Sequence, residues 1–596
     1  MSRSVLALFL VALFVPALAQ AEGKSPRMED ACTQEKSLAS LNRKGAVEKN
    51  AALYAKIFNA QLEGEFNNAT KIAKNLTDCR LMGHVLMQRY LHADSKKVAF
   101  SDLKNWMDEY ADLPAASRIH KLAEARRPKG NKQKLATPLY KTFVFGTLEP
   151  SLNEPAKPYV PKGSRTDAQE ADVDALKRAV RAQISDGDSA DALEALNTRS
   201  GAKYMSDLEK AAIRANIAQS YLLEGSPKTA YSMASAIADR YGDKVPLAGW
   251  VAGLTSWMNG NYTQAAAYWE TAAGSDFANG WMASGCSYWA SRARFRAGDD
   301  VAAEKNLKLA AAYPRTFYGM LAIEALGQKF SYNWIIPEFT DEMRDAMLET
   351  PAGARALILS KAGQFALADA ELAGLDPATL GETQKEALVA FALDAGMPAF
   401  ALRYGNAFLN DEDRFYDAAL YPMLPWDPAG GYTMDKALLH ALVRQESRFR
   451  VRDTSHAGAT GLMQLMPDSA ADYSGEEALR DKERWRLKDP ATNLRIGQIL
   501  VHELFDMQMV DNNLFYMLAA YNAGPGSLKR WKRHLRDVDD PLLFIELVPV
   551  SETRAYIERV MRNTWIYQKR FGEETDSLTD LIDGQWPRYR EEAAKR

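Results

Sequence analysis

Cysteine is scarce in this chain: three in 596 residues, Cys32, Cys79 and Cys286. Thiols so few and so scattered exclude a structural zinc centre, which takes four ligands at short spacing. Histidine is nearly as rare. The seven, at positions 84, 92, 120, 440, 456, 502 and 534, show no metal-ligand spacing, and His502-Glu503 lacks the second histidine of a zinc-protease motif. Net charge is missing as well. Lys and Arg number 74 against 77 Asp and Glu, so no global basic surface favours nucleic acid. No phosphate-cradling glycine motif occurs. Beyond the first twenty residues no run is apolar enough to span a bilayer. No cofactor, metal, nucleic-acid partner or integral membrane span is therefore expected. What remains is an ordinary soluble composition, 47% hydrophobic and 25% charged, on a chain too long for one core.

The first residues, "MSRSVLALFLVALFVPALAQAEGKSP", place Arg3 before the apolar run Val5 to Phe14 and end in the small-x-small sites Ala17-Leu18-Ala19 and Ala19-Gln20-Ala21. Residues 1–21 are read as a cleaved secretory signal, and the apolar run is short for the alternative, a membrane anchor. No cysteine follows the cleavage site, so no lipid-modified terminus is expected. In an exported chain Cys32 and Cys79 are the pair expected to oxidise, although sequence alone does not show that they meet.

Helical periodicity covers much of residues 22–126. Residues 127–171 are a connector dense in proline (128, 138, 150, 155, 158 and 161), which forbids helix and favours extended chain. Tyr140, Phe143, Val144 and Phe145 are candidates for pinning it to the surface. From 172 to 420 a loose repeat takes over. "GDSADALEAL" at Gly187, "GSPKTAYSMA" at Gly225, "GNYTQAAAYWE" at Gly260 and "GDDVAAEKNL" at Gly298 are spaced 38, 35 and 38 residues by subtraction. "GQFALADAEL" at Gly363 and "GMPAFALRYG" at Gly396 share the shape. A glycine ending each helix at this period predicts an α-solenoid; an irregular helical bundle is the alternative. Tyr313, Phe317 and Tyr318 are read as core. The three prolines and two glycines of "YPMLPWDPAGGYT" mark a boundary near 421, and residues 421–596 form the last domain.

That domain carries the chemistry. Thr433 is a candidate cap for a helix starting near Met434, with Asp435 in its first turn. Leu439, Leu442, Val443 and Glu446 fall at i, i+3, i+4 and i+7, so Glu446 lies on the buried stripe. A carboxyl there loses solvation and its pKa rises, as a general acid near neutral pH requires. The plainer reading is a half-buried acid paired with Arg444, Arg448 or Arg450. Gln464 and Met466, read as a short helical segment, offer an amide for an N-acetyl group and an apolar wall. Each alone is as readily a surface polar residue or core. Tyr521 sits where "NAGPG" stops a helix. His456 is read as a solvated loop residue.

Four segments in order, "QESRF", "GLMQLMP", "AYNAGPG" and "ELVPVSETRAY", lie within residues 445–556 and together resemble the soluble lytic transglycosylase family. The repeat array and "FYGMLA" resemble that family's superhelix and linker, so the resemblance runs from about residue 170 to 575. It implies an all-α chain: an α-superhelical solenoid curled like a ring, then a lysozyme-like, mostly α catalytic domain. It also implies a periplasmic enzyme that cleaves the β-1,4 bond between N-acetylmuramic acid and N-acetylglucosamine of peptidoglycan and leaves a 1,6-anhydro end. Glu446 matches the single acid/base. Ser455, Gln464, Met466, Tyr521, Asn522, Glu552 and Tyr556 match positions that contact substrate or catalytic groups. Two other readings stay open: a hydrolytic muramidase using Asp468, Asp472 or Glu552 as second carboxylate, and a non-catalytic glycan-binding scaffold whose array binds cell-wall synthesis or envelope proteins.

Overall fold

The computed structural model describes residues 28, 32, 41–92, 98–143, 157, 163–406 and 416–590. The expected signal sequence lies outside them, as do Val144, Phe145 and the prolines at 150, 155, 158 and 161. The described chain is all-α. It contains helices and short 3₁₀ turns, and its only β pairing is three isolated bridges, Thr454–Thr460, Thr460–Leu465 and Asn513–Arg588. No helix among the described residues is long and apolar enough to cross a membrane.

Two compact units emerge, residues 1–143 with 345–379, and residues 144–344 with 380–596. In the first, Lys44–Leu62 and the helices up to Ala116–Ala125 bury Tyr54, Ile57, Trp106 and Ile119. Cys32 and Cys79 are joined as a disulfide, with their Cα atoms 5.8 Å apart. His84 and Glu371, both sealed from solvent, lie 2.7 Å apart, and Arg355 reaches the same carboxylate at 2.8 Å. Buried charge is tolerated in that form, with every member partnered. Tyr140 and Phe143 tie the start of the proline-rich stretch to this unit. The Tyr140 hydroxyl donates to the Ala370 carbonyl at 2.6 Å and the Phe143 amide to that of Ala373 at 3.0 Å.

The second unit begins with the repeat array. Its helices start on strong caps: Thr166 and Ser206 form reciprocal capping boxes with Gln169 and Glu209, and Asp188, Asn279, Asp299 and Thr316 accept from the first turn. Gly187, Gly225, Gly260, Gly298 and Gly396 in this unit have φ between 62° and 83°, and Gly363, in the first unit, stands at 71°, the left-handed stop that the sequence period required. Between the helices, Trp257, Trp269 and Trp289 pack with centroids 5.3–6.4 Å apart. Phe317 and Tyr318 are core, as read from the sequence, and Tyr313 is half-buried.

The array joins residues 421–590 in one core. Arg292 lies over Trp257 and Trp289 and pairs with Asp540 at 2.7 Å, and the Tyr318 hydroxyl donates to the buried Glu546. Asp540 also caps the helix Pro541–Leu547 that carries Glu546. The helices Lys436–Glu446 and Ser551–Phe571 pack together at the centre of the last domain. One local expectation fails here. The first of these helices is capped by Asp435, whose carboxylate accepts from the Leu438 amide at 2.9 Å, and not by Thr433. Thr433 lies two residues before the cap, and its backbone and hydroxyl oxygens face His502.

Candidate active site

Glu446 is the last residue of Lys436–Glu446. Leu439, Leu442 and Val443 are fully buried, and they draw the glutamate inward with them. Burial pushes its pKa from the ordinary 4.5 up to about 7; the Tyr556 hydroxyl pulls against that rise and the nearby Glu552 adds to it. None of the three arginines beside it pairs with it in the described structure. Arg444 donates to the Leu420 carbonyl and to Asn563, and Arg450 holds Asp453 at 2.6 Å. The partner is Tyr556, 110 residues on, whose hydroxyl donates to Oε1 at 2.6 Å.

Tyr556 comes from the second turn of Ser551–Phe571 and is 4% exposed. Tyr521, near the end of Leu514–Ala523, stacks parallel to it with centroids 6.4 Å apart. Burial and the charge of Glu446 raise both phenols, so each serves as a hydrogen-bond donor and not as a base. The Tyr521 hydroxyl donates to the Met463 carbonyl at 2.7 Å, which fixes the loop before Gln464 to this helix. Asn522 accepts from the buried Thr553 hydroxyl at 2.6 Å, tying the same helix to Ser551–Phe571.

The loop 453–466 is not helical where sequence period suggested it. Gln464 stands at φ 46° in a tight turn, its amide nitrogen donating to the Gly461 carbonyl at 3.0 Å; Met466 is the residue before Pro467–Ser474 and is 40% exposed. A periodic reading cannot detect a positive φ, and that is why the expectation failed. Gly461 makes the turn possible. It sits at φ 83°, and a Cβ there would lie 2.2 Å from the Leu487 carbonyl oxygen. Asn493 holds the loop from below. Its side chain accepts from the Met463 amide and donates to the carbonyls of Thr460 and Leu487. The sequence reading missed Asn493; its signal was a polar residue on the apolar stripe of Pro490–Asp506. Ser455 is exposed, and its hydroxyl accepts from the Ala459 amide. Among the described residues no hydrogen bond joins Ser455, Gln464 or Met466 to Glu446. Glu552 is exposed in the first turn of its helix. Asp468 and Asp472 are both drawn to Arg480.

The fold and site define a class of protein: a helical array joined to a lysozyme-like domain that shields one glutamate. A family model described as the transglycosylase SLT domain matches residues 427–544. The soluble lytic murein transglycosylases of Salmonella typhimurium strain LT2 and Escherichia coli strain K12 are each 28% identical to this chain. The matches run over 309 and 282 residues, 50% and 46% of this chain and 46% and 42% of theirs. The chain thus spans about half the length of the curated relatives it matches. Among solved structures, the 70 kDa soluble lytic transglycosylase of Escherichia coli superposes with TM-score 0.51 at 18% identity, covering 91% of this chain and all of that one. The lytic transglycosylase Slt of Pseudomonas aeruginosa gives 0.50 at 17%, covering 93% and 91%. Residues 427–544 thus match the transglycosylase SLT domain, and the chain is similar in sequence and fold to soluble lytic transglycosylases.

Proposed function

We propose that the chain is a peptidoglycan lytic transglycosylase that cleaves the bond between N-acetylmuramic acid and N-acetylglucosamine with Glu446 as its single acid/base. The observation that carries this reading is the shielded carboxyl of Glu446 under the Tyr556 hydroxyl at 2.6 Å. With a pKa pushed up to about 7, both protonation states are within reach near neutral pH. Protonated Glu446 hands its hydrogen to the bridging oxygen as the C1–O bond breaks. The N-acetyl carbonyl of the muramic residue stabilises C1, in the manner of substrate-assisted glycosidases. Ionised Glu446, steadied by Tyr556, then takes the proton from the C6 hydroxyl, and that oxygen closes on C1 to give the 1,6-anhydro sugar.

A hydrolytic enzyme would use a second carboxylate to activate water. Arg480 engages two of the three candidates, which leaves Glu552. The disulfide between Cys32 and Cys79 fits an oxidising compartment and so supports export to the periplasm. In the same reading the array guides glycan strands, or envelope proteins, to the last domain.

The test is digestion of purified sacculi with mass spectrometry of the released sugars. The wild type is expected to release products lighter by one water than hydrolysis products. Glu446→Gln is expected to lose about 10²-fold or more of the rate while keeping its fold, since one acid/base contributes about 10²–10⁴-fold. Near-normal turnover by that variant removes the assignment. Water-added ends would make the chain a muramidase with Glu552 as the second carboxylate.

A further inference from the structure

The chain carries a formal net charge of −3, yet "KRWKRHLR" at 529–536 holds six basic side chains in eight residues. The helix Pro525–His534 sorts them by face. Leu528, Trp531 and Leu535, three and four residues apart, are buried. Lys532 is committed locally: its ammonium donates to the Met509 carbonyl at 2.6 Å and lies 3.9 Å from the Tyr516 ring centre. Lys529, Arg530, Arg533, His534 and Arg536 are all exposed. The negative end of a helix dipole amounts to about half a charge, so it accounts for one of these cations and not for the group.

Little acid stands against them. Among the described residues no carboxylate pairs with Lys529, Arg530, Arg533 or His534, and Arg530 donates only to the Ser527 hydroxyl, at 2.9 Å. Arg536 meets Asp537 at 3.6 Å with both side chains open to water, a contact that holds little. Asp540 is held by Arg292, and Glu224 accepts from the Ser189 and Ser220 hydroxyls. Arg530, Arg533, His534, Arg536 and Asp537 line an open recess of about 440 Å³.

The position of this face limits what it can meet. Its helix starts at Pro525, four residues after Tyr521, whose hydroxyl holds the loop of the candidate active site. At its other end the His534 ring lies 3.2 Å from where a Cβ on Gly225 of the array would stand. Ten residues span about 15 Å, so a basic face of that length runs from the site to the array. No large hydrophobic side chain of the helix is exposed, so a lipid surface would find charge there but no apolar anchor. A polymer bearing repeated carboxylates is matched by successive guanidinium forks.

We propose that Arg530, Arg533 and Arg536 form a docking surface outside the catalytic centre for the carboxylates of peptidoglycan peptide stems, holding a strand between the array and the Glu446 domain. The surface rests on the peptidoglycan reading above and deepens it.

The experiment is co-sedimentation of the full chain with purified sacculi, in the Glu446→Gln background so that the polymer survives. Combining Arg530→Gln, Arg533→Gln and Arg536→Gln is expected to weaken binding about tenfold at low salt, the scale of three exposed charge contacts. Converting the stem carboxylates to neutral amides should weaken the parent by the same factor and leave the triple variant where it was. Replacing the three by lysine, which keeps the charge, should restore most of the binding. Raising the salt to about 1 M, where the screening length falls to about 3 Å, should erase the difference. Equal binding by parent and triple variant, or an equal loss on native and amidated sacculi, refutes the surface. Stronger arginine-dependent binding to anionic lipid vesicles than to sacculi overturns it in favour of a membrane. Digestion of sacculi by the Glu446 chain is followed in parallel, so the two claims fail separately. Digestion with binding indifferent to the three arginines refutes the surface alone, and arginine-dependent binding without digestion refutes the cleavage chemistry alone.

Discussion

Replacing Tyr556 by phenylalanine removes one hydroxyl, the one that donates to Glu446 Oε1 at 2.6 Å, and leaves the buried ring in place. Two opposed effects, with a smaller upward push from Glu552, set the acidity of Glu446. Burial favours the protonated form and wins, and the phenol favours the ionised form and loses. Deleting the phenol leaves burial unopposed. A hydrogen bond to a charged group nets about 1.5–3 kcal/mol, and one pKa unit is about 1.4 kcal/mol. The carboxyl should therefore rise by at least about one unit. The sign for catalysis follows from the first step, which needs the protonated acid. Activity falls as pH climbs through the Glu446 pKa, so the alkaline limb of kcat in Tyr556→Phe should move to higher pH by about one unit. The maximal rate should drop as well, because the ionised form needed for the second step loses its donor. Initial rates of product release from sacculi between about pH 5 and 9 give the profile. Tyr521→Phe is the control, since that hydroxyl bonds the Met463 carbonyl and its loss should leave the limb nearly in place. An alkaline limb that stays put in Tyr556→Phe, or moves to lower pH, refutes the assignment of the limb to Glu446.

Glu446→Gln should be more stable than wild type at alkaline pH. The folded-state pKa, about 7, lies above the ordinary 4.5, so the wild type holds its full relative stability below about 4.5 and loses it as pH rises through 7. The variant's advantage should reach at most about 3 kcal/mol above pH 7; thermal melts that show no advantage at pH 8, or one that grows on acidification, would contradict the burial of the carboxyl. Gly461→Ala should destabilise the last domain by on the order of 3 kcal/mol, because the residue is left-handed and its Cβ would strike the Leu487 carbonyl and the Asn493 amide. Unfolding at the wild-type temperature would show that the loop can shift to accommodate the methyl group.

The helical class and the array were legible because their signal is local. A left-handed glycine every 35 to 38 residues and an apolar stripe of period 3.6 can be read without knowing what packs where. The stripe of Leu439, Leu442 and Val443 pointed Glu446 inward for the same reason. What escaped depends on distance or on backbone sign. The cap at Asp435 instead of Thr433 differs by two residues, within the uncertainty of any helix start. The turn at Gln464 depends on a positive φ, which no hydrophobic pattern encodes. The grouping of residues 345–379 with the N-terminal helices rests on contacts such as His84 with Glu371, 287 residues apart. Asn493 could have been flagged, since a buried asparagine on an apolar stripe must satisfy its amide, but the loop it satisfies could not have been named.

Three arginines lie within four residues of Glu446 in the chain, yet burial makes its carboxyl harder to ionise than usual. A glutamate paired with Arg444, Arg448 or Arg450 would be pulled down, since an opposite charge within about 4–6 Å favours the charged form. The structure prevents that pairing one arginine at a time. Arg444 is locked over Tyr421 and onto the Leu420 carbonyl, Arg450 is held by Asp453, and Arg448 is exposed on a left-handed turn. The position of the glutamate, last in its helix, adds the partial negative charge of the terminal carbonyls to the cost of ionising it. The arginines that neighbour the acid in the chain therefore do not neutralise it in the described structure.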